Sequence, residues 1–263
     1  MRSPTSHKGD NGSVAIIGGS LHQHGAPLFS ALAAEASGVD LIYLFVPECH
    51  REVAKHASLN VQVYTFGSLK SDEISASDRT RIVEFLATID TAVIGPGLAR
   101  TASALSSLMT LLEEAPCPLV VDASALQKQI MKFLCGRHAV LTPHLGELER
   151  MELAQNDLSS VCMENACTIL KKGVVDTIVS EKGDVKTVEG GNAGLTVGGT
   201  GDALAGLTAG LIAQGVDHAE ACRMASTVIK RAGDVLAQEF GFAYTTRQVI
   251  QMIPKVLKNM GQS

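Results

Sequence analysis

The chain has 263 residues, of which 46% are hydrophobic, 19% charged and 4% aromatic, with a net charge of −5. That length can bury one large α/β core. The acidic balance, the lack of a basic block and the few aromatics exclude a nucleic-acid reader that stacks bases. The most apolar stretch, Ala203 to Ala213, is too short to span a bilayer and contains Gly and Thr, so no membrane partner is expected. The cysteines (Cys49, Cys117, Cys135, Cys162, Cys167, Cys222) form no C-x-x-C pair and read as reduced, mostly buried thiols. Residues 1–12 are polar, without an apolar signal core; a cytoplasmic location is expected, with residues 1–10 a flexible lead-in.

Short β-branched runs alternate with helical patterns. Ser13 to Ile17 reads as a buried strand ending at Gly18-Gly19-Ser20, and Ala26 to Ser37 as a helix. Asp40 to Val46 is a strand closed by Pro47. Asp72 to Thr88 is an amphipathic helix offering Ile82, Val83, Phe85 and Leu86 to one face. Thr91 to Ile94 is a strand stopped by Gly95-Pro96-Gly97, and Ala102 to Glu114 a helix. Pro118 to Val121 and Ala139 to Leu141 are strands, ending at Asp122 and at Thr142-Pro143-His144. Lys171-Lys172-Gly173 is expected to end a helix. Thr177 to Ser180 and Val185 to Val188 form a hairpin about Lys182-Gly183-Asp184. Helices are expected from Gly201 to Gln214, His218 to Gln238 and Thr246 to Lys258. This rhythm predicts a mostly parallel sheet covered by helices on both faces, and without a linker or repeat the expectation is one domain over 1–263.

Ligands in such sheets bind at the carboxyl ends of the strands, here GGS, GPGL, VVDAS and LTPH. Each alone also reads as an ordinary connecting turn. The stretch from Gly190 to Gly206, GGNAGLTVGGTGDALAG, is more informative. Gly198-Gly199-Thr200-Gly201 runs straight into a helix near Asp202. Glycines there let main-chain N–H groups converge, and the helix dipole adds positive charge, making an anion hole for a phosphoryl group in transfer. Gly199, Thr200 and Gly201 would form the hole. Asp202 at its mouth could accept a proton from an attacking hydroxyl, or act only as an N-cap. Lys172 could supply a cation to phosphate, or be a solvated helix end. No Walker lysine motif and no G-x-G-x-x-G follows the first strand. His22, His24, Cys49 and His50 fit no zinc spacing.

GGTGDALAG is similar to the G-x-G-D signature of the ribokinase-like superfamily. Together with Lys8-Gly9, Ile17-Gly18-Gly19-Ser20, His24-Gly25-Ala26-Pro27, Gly95-Pro96-Gly97-Leu98, Leu141-Thr142-Pro143-His144-Leu145-Gly146-Glu147, Lys172-Gly173 and Gly191-Asn192, in that order, the chain resembles the ADP/ATP-dependent NAD(P)H-hydrate dehydratases from about residue 8 to 258. The resemblance implies a ribokinase-like fold and a lyase that repairs hydrated NADH and NADPH, with ADP or ATP as phosphoryl donor and Mg²⁺ on its phosphates; a stand-alone chain suggests ADP. It implies that Ala26, Gly97, His144 and Asp202 contact the hydrated dinucleotide, and that Asp202 is the catalytic carboxylate. Lys172, Gly173, Val174, Val175, Asp176 and Gly201 match positions around the adenine nucleotide. Asn192 would help to hold phosphate or metal, and no protein side chain is a direct metal ligand. The family suggests a homo-oligomer, a tetramer among the relatives. Many members also carry an epimerase domain, for which this chain is expected to have no room. Leu145 stands where Pro is frequent, Ser124 where Asp is frequent, and Val174-Val175-Asp176 replaces a small-residue turn. His144 also reads as a cap of the next helix. A vitamin-precursor kinase of the same superfamily would use the same GGTGD, and a non-catalytic nucleotide-binding protein is the other alternative.

Overall fold

The computed structural model describes residues 5–260. The elements are β1 (Ser13–Ile17), α1 (Gly25–Ala36), β2 (Leu41–Pro47), α2 (Arg51–Ala57), β3 (Val61–Phe66), α3 (Ala76–Leu86), β4 (Thr91–Ile94), α4 (Ala102–Glu114), β5 (Leu119–Val121), α5 (Ile130–Leu134), β6 (Val140–Leu141), α6 (Leu145–Met151), α7 (Leu158–Asn165), β7 (Thr168–Lys171), β8 (Asp176–Val179), β9 (Val185–Val188), α8 (Thr200–Ala213), α9 (His218–Phe240) and α10 (Thr246–Met260). The strands form one nine-stranded sheet in the order β3-β2-β1-β4-β5-β6-β7-β8-β9. From β3 to β7 all neighbours are parallel. The β8–β9 hairpin closes one edge antiparallel.

Period-two alternation divides the core between the faces. Val14 and Ile16 of β1, with Val93, Val120, Val140 and Leu170, meet α1, α8, α9 and α10. Ala15 and Ile17, with Ile94, Val121, Leu141 and Ile169, meet α3 to α7. The expected α/β sheet covered on both faces is therefore observed. Central strands with both faces buried read as continuous β-branched runs.

Some expectations change. The stretch before Lys172 is strand β7 and not a helix, because Thr168, Ile169 and Leu170 fill a slot between β6 and β8. The helix expected over Asp72 to Thr88 is shorter, Ala76 to Leu86, since Ser75 caps it in a capping box with Asp78. The β3 strand was not anticipated. Among residues expected to be a flexible lead-in, 1–4 lie outside the described residues. Beyond these, the amides of Gly9 and Asn11 donate to Asp40 Oδ2 at 2.8 and 3.1 Å. Among the described residues no helix is long and apolar enough to cross a membrane.

Candidate active site

The chain reverses its direction of winding at β1, which lies between β2 and β4. In an open α/β sheet this is where a crevice opens beyond the strand ends. The GGS and GPG turns meet there, with Gly19 N donating to the Pro96 carbonyl at 2.8 Å. Gly97 takes φ +69 and faces the first turn of α1, where its added Cβ would lie 3.1 Å from the Ala26 Cβ. Two of the substrate positions named from sequence, Ala26 and Gly97, thus share one wall although they lie far apart in the chain.

Helix α8 brings the glycine-rich segment to the same crevice. Gly199 is its N-cap, at φ +97, and no side chain caps the helix. A β-carbon at Gly199 would overlap the Phe29 ring of α1, so glycine satisfies both the left-handed backbone and the close approach. Further along, Gly206 lies against the Ser30 carbonyl, and Ser30 Oγ donates to the main-chain oxygen of Asp202 at 2.8 Å. This packing fixes Asp202 at the third position of α8. Its carboxylate is not the helix cap; the capping alternative is excluded by Gly199. Burial and then the negative charge of Asp122 push the Asp202 carboxyl up to about 7, with the Lys172 ammonium opposing. A base with that pKa suits proton transfer near neutrality.

Lys172 is not the solvated helix end that its sequence context also allowed. It follows β7, its side chain is only 17% exposed, and its ammonium donates to Asp122 Oδ1 at 2.8 Å. Glu147 Oε2 lies 3.6 Å away. A Cβ at Gly201 would sit 3.2 Å from Nζ, which places this cation beside the start of α8. Burial alone would lower the Lys172 pKa, but Asp122 and Glu147 outweigh it and hold the ammonium above its ordinary value. The cation is therefore charged beside the first turn of α8.

Asp122 and Glu147 did not figure among the site residues expected from sequence. Asp122 is buried at the end of β5 and also accepts from Thr142 Oγ1 at 2.7 Å. Glu147 accepts from the His144 amide at 2.9 Å, while His144 Nδ1 accepts from the Glu147 amide at 3.2 Å. His144 is thus the cap of α6, as one reading allowed, yet its side chain stays 57% exposed beside the site. The Lys172 amide donates to the Pro143 carbonyl at 2.8 Å, which holds His144 and Lys172 side by side. A lone acid closing a buried β run (VVD) and an acid three residues after His144 were the available signals.

The remaining expected nucleotide positions separate by role. Gly173, Val174 and Val175 form the connection from β7 to β8, with Val174 92% exposed. Asp176 is buried and accepts from the Gly173 amide at 2.8 Å and from Ser226 Oγ at 2.6 Å. Asn192 Oδ1 accepts from Tyr244 OH at 2.7 Å and from the Gly194 amide at 3.0 Å, so its side chain shapes the glycine-rich loop.

Comparison with known proteins shows the family and the fold. The family model of the NAD(P)H-hydrate dehydratases matches residues 14–255. The chain is 32% identical over 263 residues to an ADP-dependent (S)-NAD(P)H-hydrate dehydratase of Cenarchaeum symbiosum, covering 96% of this chain and 91% of that protein. Among solved structures, a ribokinase-like superfamily protein of Enterococcus faecalis aligns with TM-score 0.83 and 25% identity, over 100% of this chain and 92% of that one. An ADP/ATP-dependent NAD(P)H-hydrate dehydratase of Bacillus subtilis, co-crystallised with ATP and Mg²⁺, aligns with TM-score 0.77 and 23% identity, over 98% and 93% of the two chains. The fold is ribokinase-like, and by the extent of the family match the chain belongs to the NAD(P)H-hydrate dehydratase family.

Proposed function

We propose that this protein converts the (S)-hydrates of NADH and NADPH back to NADH and NADPH, with ADP as the phosphoryl donor. The observation that carries the reading is Asp202, held at the uncapped start of α8 with its pKa raised to about 7, in a chain whose relatives carry this activity in their names. Asp202 accepts the proton of the ring hydroxyl as that oxygen attacks the terminal phosphorus of the nucleotide. The amides of Gly199 and Gly201 stabilise the phosphoryl group in transfer, that of Thr200 being turned to the Val197 carbonyl at 3.5 Å, and Lys172 adds a fixed positive charge. The ring nitrogen lone pair then expels phosphate by breaking the carbon–oxygen bond. Loss of a proton from the adjacent carbon restores the ring double bond.

Ala26, Gly97 and His144 line the dinucleotide side of this reading, and residues 172–176 with Asn192 the nucleotide side. The oxygens of Asp122 and Glu147, which converge on the Lys172 ammonium, are the donors that would hold Mg²⁺ beside the nucleotide phosphates. When bound, that ion neutralises phosphate charge. The free thiols fit a reducing cytoplasmic compartment. A homo-oligomer completes the proposal, checked by light scattering.

The test is incubation with acid-hydrated NADH, Mg²⁺ and ADP or ATP, following reduced-nicotinamide absorbance and phosphate together. Equal recovery of both, dependent on nucleotide, is expected. A stable phosphate ester on a small alcohol, with no recovery, would indicate a vitamin-precursor kinase instead.

A further inference from the structure

Two irregular segments belong to the proposed nucleotide side: residues 173–175, after β7, and residues 189–192, after β9. Neither has a ladder of its own to satisfy its main-chain groups. Both are held by one stripe of α9, Ser226, Lys230 and Asp234, which are four residues apart and so share a helix face. Ser226 Oγ donates to Asp176 Oδ2 at 2.6 Å. Lys230 Nζ donates to the carbonyls of Gly173 at 3.3 Å, Val174 at 2.8 Å and Gly190 at 3.3 Å. Asp234 accepts from the Gly191 amide at 3.1 Å and from Asn192 Nδ2 at 3.2 Å.

Lys230 is the centre of the device. It is only 6% exposed, its three N–H groups match three carbonyls, and Asp176 lies 3.7 Å away as counter-charge. For stability alone, a buried ion pair is commonly no better than apolar packing of equal size. What the ammonium supplies that apolar packing does not is a defined height for both loops at once. The first of those loops starts at Lys172, beside Gly201 and Asp122, and carries the exposed Val174 at its tip.

We infer that Lys230, flanked by Ser226 and Asp234, is a positioning residue for the nucleotide donor: it sets the loops that receive the donor and touches neither the dinucleotide nor the reacting atoms. The inference rests on the proposed nucleotide side of the site. It predicts separated effects on the two substrates.

Lys230→Met keeps most of the unbranched side chain and removes the donors. The nucleotide KM, and the Kd for ADP with Mg²⁺ measured by calorimetry, should rise about tenfold or more, the scale of lost charge-assisted hydrogen bonds. The KM for hydrated NADH and the kcat at saturating ADP should stay within about threefold. Ser226→Ala and Asp234→Asn should shift the same nucleotide constants in the same direction by about two- to fivefold. An unchanged ADP Kd in folded Lys230→Met protein, or equal losses in kcat and both KM values, overturns the inference. If that variant does not fold, unchanged ADP Kd in both milder variants overturns it. Failure of the unmodified protein to bind ADP at all would instead defeat the functional reading.

Discussion

At the scale of single residues, burial and neighbouring charges together set the pKa values of Asp202 and Lys172. Asp202 is a carboxyl raised to about 7 first by burial and then by Asp122, while Lys172 opposes. In the proposed role of base it acts ionised, so kcat/KM should fall as pH drops through about 7. Asp122→Asn removes a negative neighbour and should move that limb to lower pH, read from the pH–rate profile. Asp202→Asn should cost about 10²–10⁴ in kcat with the far-UV spectrum unchanged. The same variant should be more stable than the parent, by up to about 4 kcal/mol at pH 8. The sign follows from linkage: a folded-state pKa above the unfolded value means that the native state holds the proton longer, so stability declines as pH rises toward about 7. The gain should vanish below about pH 4. Urea titrations at the two pH values test this, and a variant less stable at pH 8 would show that Asp202 supports the fold.

At the scale of elements, the site depends on how closely α1 and α8 approach. Gly199 and Gly206 face Phe29 and the Ser30 carbonyl, and neither position has space for a β-carbon. Gly206→Ala must push the helices apart and should cost about 2–3 kcal/mol, or roughly 5–10 °C in Tm. Because Ser30 also grips the Asp202 carbonyl, kcat should fall even at temperatures where the variant is folded. A melting scan with kinetics at 20 °C checks both. Unchanged Tm would show that the helices can separate at no cost. GGTGD opening a long apolar helix was readable because the glycines and the helix are contiguous. The strand before Lys172 was not, because TILK has no strong period of its own and is made a strand by β6 and β8 on either side.

At the scale of the whole molecule, binding should couple to stability. The proposed crevice joins α1, α8 and the ends of β1, β4, β5, β6 and β7, so a ligand there holds both halves of the sheet. ADP with Mg²⁺ at about 100 times its Kd should add about 2.7 kcal/mol, or roughly 5–10 °C in Tm. Differential scanning calorimetry checks this, and no shift at any nucleotide concentration would count against a nucleotide site.

The sequence by itself determined the alternating α/β order, the two-faced burial of the central strands and the glycine-led start of α8 at Gly199 to Asp202. These are local: period, turn chemistry and glycine placement act over a few neighbouring residues. It also carried enough ordered motifs to indicate the family. Only the tertiary structure decided the charge state of the site. Asp122, Glu147, Lys172 and Asp202 come from four separate stretches, and no spacing along the chain shows that they converge. The same holds for Lys230, which looks like one more lysine on a helix until two distant loops turn their carbonyls toward it. Electrostatic coupling depends on distance in space and on burial, and both are properties of the packed molecule.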